Sequence, residues 1–178
     1  WWDPNSKLQK VHQFNETRLH YIVTCIKELL DLTSANETPL MGINIVDVGC
    51  GSGLMCEPLA KLGANVTGID ATARNIEIAR RHCRKSGLSI DYHHDTVRSL
   101  VTANKSFNVV LNLEVVEHVT NPKQFIQDCA SIVRPGGLMI TATLNRTLKA
   151  WALAIIGAEY VLRWLPRGTH DWRRFLSP

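Results

Sequence analysis

The chain has no apolar run long enough to span a bilayer: the longest uncharged stretch near its end, residues 150–158, falls far short of the roughly 20 residues required. Cysteines stand at 25, 50, 56, 83 and 129, with no CxxC pair and no Cys/His metal spacing, and the odd total argues against a disulfide framework and for a reducing compartment. Without a secretory context, the sequons at Asn15, Asn36, Asn65 and Asn145 read as chance matches. Internal repeats and low-complexity tracts are absent, which removes the fibrous, repeat and disordered classes. The opening Trp1-Trp2-Asp3 brings no signal-like apolar region. Charge of one sign is scarce too: 20 Lys and Arg against 16 Asp and Glu leave a formal net charge of +4. The excess gathers at Arg163, Arg167, Arg173 and Arg174, which suit either a solvated face or a basic surface.

What is present fits one domain of 178 residues with a single core. Leu19, Ile22, Val23, Ile26, Leu29 and Leu30 recur at intervals of three and four, predicting a helix over 15–32. A polar linker over 33–39 follows, then the β-branched run Ile43-Asn44-Ile45-Val46-Asp47-Val48, the glycine loop Gly49-Cys50-Gly51-Ser52-Gly53, and a helix over 54–62 closed by Gly63. The pattern repeats. Strands are expected over 65–69, 89–93, 107–113 and 138–144, and helices over 74–85 and 122–133, the last stopped by Pro135-Gly136-Gly137. Such alternation predicts an α/β fold, a Rossmann-like doubly wound parallel sheet with helices on both faces. Ligands in such sheets bind beyond the carboxyl ends of the strands, so Gly49 to Gly53, Asp70, Asp95 and Leu113 to His118 are the residues to examine.

A glycine loop between strand and helix lets a ligand approach the backbone, and the helix start offers free N–H groups. The dinucleotide pattern G-x-G-x-x-G is broken here, because Cys56 or Leu54 stands where its third glycine belongs, and this argues against a nicotinamide dehydrogenase. The segment Val46 to Gly53 resembles motif I of class I methyltransferases, whose loop wraps the methionine part of S-adenosylmethionine. Gly49, Gly51 and Gly53 are then cofactor-binding positions. Asp70, 21 residues after Gly49 at the end of the second strand, is placed to accept hydrogen bonds from both ribose hydroxyls. Asp95 faces the adenine amino group or forms an Asx turn, two readings of equal weight.

After the fourth strand comes Asn112-Leu113-Glu114-Val115-Val116-Glu117-His118-Val119. If the segment turns helical, Glu114, Glu117 and His118 share a face at i, i+3 and i+4. That set suits Mg²⁺, with its oxygen ligands, or a general base at His118; Glu117 and His118 as mere caps of a short helix is the competing reading. A phenol of pKa about 10 needs help to ionise at neutral pH, which favours the three residues acting together in catalysis.

The whole chain resembles the ubiquinone-biosynthesis O-methyltransferase family. The resemblance is carried by Trp1-Trp2-Asp3, Asn15 to Leu19, Asp47 to Gly53, Glu114 to Val119, Arg134 to Gly137, Thr143 to Arg146, Gly157 to Tyr160 and Pro166 to His170. It implies cofactor contacts at Arg18, Gly49, Asp70 and Leu113, with Mg²⁺ ligands at Glu114, Glu117 and His118. It also implies methylation of polyprenylated catechols and demethylubiquinol, partner proteins of the same biosynthesis, and a last helix and antiparallel strand pair beyond Pro178. Ser52 departs from the family, in which many members carry Gly.

The segment 149–174 combines Trp151, Leu153, Ile155, Ile156, Tyr160, Val161, Leu162, Trp164 and Leu165 with Lys149 and the arginines. It suits peripheral contact with a membrane surface, where a substrate keeps its isoprenoid tail in the bilayer; a helix packed on the sheet fits the same residues. The resemblance implies the cytoplasmic face of a bacterial inner membrane, or the matrix side of the mitochondrial one. No aromatic-interleaved basic groove and no Asn/Asp-Pro-Pro-Tyr/Phe/Trp motif points to nucleic acid. A methyltransferase of a small soluble phenol and a non-catalytic methyltransferase-like module are the other readings.

Overall fold

A computed structural model describes residues 2, 9–32 and 37–143, with the side chains of 9–13 excepted. The elements are α1 (Gln9–Leu29), β1 (Asn44–Val48), α2 (Cys56–Lys61), β2 (Asn65–Asp70), α3 (Ala73–Lys85), β3 (Asp91–His94), α4 (Val97–Thr102), β4 (Phe107–Leu113), α5 (Pro122–Ser131) and β5 (Val133–Ala142). The five strands form one sheet in the order β3-β2-β1-β4-β5. All four pairings are parallel, with Asn44 beside Asn65 and Ile45 beside Val109 setting the register of the central strand.

Period-two alternation in the strands builds a core on each face. Ile45, Val66, Val109 and Leu111 join Ile22 and Ile26 of α1, Leu59 of α2 and Ile76 and Ala79 of α3 on one side. Val46, Val48, Ile69 and Val110 join Val97 of α4 and Cys129 and Ile132 beside α5 on the other. A central strand buried on both faces reads as a nearly continuous apolar run, as Ile45-Val46-Asp47-Val48 does. Each fully buried Ile or Leu side chain contributes about 1.5–3 kcal/mol of apolar burial. Helix α5 starts at a cap: the Asn121 side-chain oxygen accepts the Gln124 N–H at 3.1 Å, and Pro122 follows where no backbone donor is needed.

The expected doubly wound sheet is the observed one, with differences at its ends. Helix α1 begins at Gln9 rather than 15 and stops at Leu29. The helix expected to reach 133 gives way after Ser131, and β5 runs through Pro135-Gly136-Gly137, with an irregular register against β4 between Phe107 and Val109. Pro135 is tolerated because it falls inside that irregularity, between the paired residues Val133 and Leu138, where a missing donor breaks no ladder. The short α4 was not expected at all. Strand order reverses between β1 and β4, and the crevice at their carboxyl ends is where a ligand site belongs.

Candidate active site

Two cavities open at that crevice and share Gly49 and Glu114 as a common wall. One, of 370 Å³, is lined by Asp70, Thr72, Asn75, Asp95, Val115, His118 and Phe125 among others. The second, of 270 Å³, is lined by Asn15, Arg18, Asp47, Gly51, Ser52, Leu113 and their neighbours.

The glycine loop shapes the boundary. Gly49 has φ +79°, and a Cβ there would lie 2.3 Å from Val115 Cγ2. At Gly53 (φ +84°), which lines neither cavity, a Cβ would lie 2.2 Å from the Tyr92 hydroxyl, so packing on Tyr92 requires a glycine here. A Cβ on Gly51 would meet no described atom within 4 Å; its surface is open to a ligand.

Asp70 is buried at the end of β2. Its Oδ2 accepts the Gly51 N–H at 2.9 Å, and its Oδ1 accepts the Thr72 N–H at 2.7 Å and the Asn75 amide at 3.2 Å. Three of about four acceptor positions are thereby taken. One ribose hydroxyl can bind directly, and a second requires Asn75 to yield its place. Asp95 lies in the same cavity at the end of β3. The Ser99 hydroxyl and the Thr96 N–H hold its carboxyl below the usual carboxylate range, so it is ionised and already partly used by the turn into α4.

The second cavity is dominated by charge. Arg18 of α1 makes an ion pair with Glu114, 96 positions away in sequence, and also faces the Asn15 side chain and the Phe14 ring. Glu114 has φ +59°, a left-handed conformation that costs a non-glycine residue about 1–2 kcal/mol. Its N–H donates to the Ala142 carbonyl at 2.7 Å, which anchors the turn. Asp47, missed as a site residue, lies in the floor. Burial pushes its carboxyl up to about 6; the Cys56 thiol bonded to Oδ2 and the Arg18 guanidinium pull it back, and the Asp70 charge adds to the rise. A carboxylate inside an apolar strand was the signal that could have revealed it. Ser52 is 2% exposed and its hydroxyl has no partner among the described residues.

Residues 114–120 form turns, not the helix on which three convergent side chains were expected. Glu114 and His118 reach the first cavity, but Glu117 turns inward, 4% exposed, and accepts the Thr143 hydroxyl at 3.0 Å. Among the described residues no group of three or more His, Cys, Asp and Glu side chains is arranged to hold a metal ion. The segment 149–174 lies outside the described residues.

A methyltransferase-domain family matches residues 46–141, which span β1 to β5. The ubiquinone biosynthesis O-methyltransferase of Dinoroseobacter shibae is 50% identical over 178 residues, all of this chain and 72% of that protein. The enzyme of the same name from Chelativorans sp. is 52% identical over the same residues, 70% of its length. Among solved structures, the plantazolicin methyltransferase BpumL in complex with SAH superposes with a TM-score of 0.67 at 18% identity, over 99% of this chain and 66% of that one; that likeness concerns the fold. With identity of this order over its whole length, the chain belongs to the ubiquinone biosynthesis O-methyltransferase family, S-adenosylmethionine-dependent methyltransferases of class I fold.

Proposed function

We propose that the twin cavity seats S-adenosylmethionine with its nucleoside beside Asp70 and Asp95 and its methionyl part beside Arg18, Gly49, Gly51, Asp47 and Leu113, and that the chain methylates a phenolic hydroxyl of polyprenylated catechols and demethylubiquinol. The observation that carries this is the pair of lobes meeting at Gly49, one with ribose-type acceptors and the other with opposite charges suited to an amino acid. The chemistry of the lining fits the cofactor: bare backbone at Gly51, a buried unpartnered hydroxyl at Ser52, and carboxylates facing a cation.

The cofactor supplies an electrophilic methyl group on a sulfonium. The protein aligns acceptor oxygen, methyl and sulfur and provides a site for the phenol's proton. His118, exposed at the mouth of the nucleoside cavity, is the base of this reading, and Glu114 sets the electrostatics beside it. Glu117 acts through its bond to Thr143, fixing the turn that carries His118.

The resemblance also carries Mg²⁺ on Glu114, Glu117 and His118, and the described geometry does not fit it. Glu114 is paired with Arg18 and Glu117 is buried against Thr143.

Residues 1–178 form part of one methyltransferase domain in this reading, with 149–174 as its membrane- or substrate-facing segment. A polyprenyl tail calls for contact with a membrane surface, and the bacterial relatives favour the cytoplasmic face of the inner membrane. Other proteins of ubiquinone biosynthesis are partners of the same reading. Among the described residues no helix is long and apolar enough to cross a membrane.

The test is methyl transfer to a short-chain prenylated catechol. His118→Gln is expected to lower kcat by roughly 10²–10⁴-fold with little change in cofactor affinity. Undiminished kcat would remove His118 as the base, and transfer to unprenylated phenols alone would favour a soluble acceptor.

A further inference from the structure

Arg18 and Glu114 stand side by side in the wall of the methionyl cavity, their chain positions fixed by unrelated elements. A cation and an anion held adjacent form a template for an amino-acid zwitterion, whose α-carboxylate and α-ammonium present the complementary charges. We propose that Glu114 is the acceptor for the cofactor's α-ammonium, exchanging its bond to Arg18 for that group while Arg18 turns to the α-carboxylate. The inference rests on the S-adenosylmethionine reading and deepens it, giving Glu114 a binding role that the metal reading does not.

Three independent observations support it. The left-handed backbone at Glu114 is an unfavourable conformation retained at a cavity wall, and strain of this kind collects where a side chain must be aimed. The Glu114 carboxylate is 40% exposed and Arg18 17%, so the anion is accessible enough to change partner while the cation stays anchored. The buried hydroxyl of Ser52 and the carboxyl of Asp47 line the same cavity, ready to complete the ring of polar groups around an amino acid.

The experiment is a cycle of two ligands and two proteins, read by calorimetric titration. The ligands are S-adenosylhomocysteine and its des-amino analogue, in which hydrogen replaces the α-ammonium. The proteins are the natural chain and Glu114→Gln. Loss of one charge-assisted bond is expected to weaken S-adenosylhomocysteine by about tenfold to a hundredfold in the variant and to leave the des-amino analogue within about twofold. Equal weakening of both ligands, or of neither, would overturn the proposal while leaving the cofactor reading standing. Absence of S-adenosylhomocysteine binding by the natural chain would overturn both. Glu114→Gly guards against misfolding, because glycine accepts φ +59° without strain. It is expected to melt no lower than the natural chain and to lose the same discrimination between ligands; retained discrimination would again refute the ammonium role.

Discussion

Asp47 stands where three demands meet: it belongs to an apolar central strand, it lines the floor of the methionyl cavity, and its carboxyl accepts the Cys56 thiol and feels the Arg18 guanidinium. The folded chain retains its proton up to about pH 6, whereas an unfolded aspartate releases it near 4. The folded state thus binds more protons between those values, and stability falls as pH rises through the window, by a total of about 3 kcal/mol. Asp47→Asn is expected to flatten this part of the pH dependence in urea titrations, raising stability at pH 7 and changing it little at pH 4. Ionised Asp47 favours a cationic ligand, so S-adenosylmethionine affinity should rise from pH 5 to pH 7 in the natural chain and stay nearly level in Asp47→Asn. The groups facing Asp47 in that titration are the Cys56 thiol, raised far above its working range by burial, the Arg18 guanidinium and the Asp70 carboxyl. Gly49 gives a steric counterpart. Gly49→Ala carries both the left-handed penalty and the collision with Val115, and a loss of about 1–3 kcal/mol with no cofactor binding is expected. Adding Val115→Ala should recover part of that stability, since it removes the collision and not the backbone strain.

Between elements, α2 and α3 are joined behind the cofactor loop by a buried polar cluster. The Glu57 carboxylate, 1% exposed, meets His82 Nδ1 at 2.6 Å and accepts the Ser86 hydroxyl at 2.9 Å. Trp2 stacks on the His82 ring with centroids 3.6 Å apart, and its indole N–H donates to the Ser52 carbonyl at 3.2 Å. Trp2 is therefore fastened to the glycine loop. Glu57→Ala strands two partners and opens a cavity, and a cost of about 3–5 kcal/mol in chemical denaturation is expected. Trp2→Ala should cost about 1 kcal/mol and also weaken cofactor binding, because its contact is with the loop itself. Much of the element order was legible: a β-branched run marked β1, the repeat of strand and helix after it placed the other four strands, and glycines marked where α2 and α3 end. The short α4 was not, since Val97-Arg98-Ser99-Leu100-Val101-Thr102 offers less than two turns of periodicity and residues of weak helix preference. Pro135-Gly136-Gly137 misled in the other direction, because an irregularity in the strand pairing admits a proline that a regular ladder excludes. Gly49, Asp70 and Leu113 were legible as cavity-lining positions because each stands at or directly after the carboxyl end of its strand. The Arg18–Glu114 pair was not, as nothing local links positions 96 residues apart, with four of the five strands between them.

At the scale of the molecule, the sheet's switch of strand order puts both cavities at one edge, and a ligand occupying both binds only the folded chain. Such a ligand at a hundred times its dissociation constant adds about 2.7 kcal/mol of stability. S-adenosylmethionine should thus raise Tm measurably, and Arg18→Gln should abolish most of the gain. The most direct measurement is calorimetric titration of the protein with S-adenosylmethionine and with NADH, repeated for Asp70→Ala. Saturable S-adenosylmethionine binding that the substitution abolishes, together with silence toward NADH, is the expected result. Binding that survives Asp70→Ala, or a heat signal from NADH alone, would contradict the placement of the nucleoside beside Asp70 and with it the twin-cavity reading of the site.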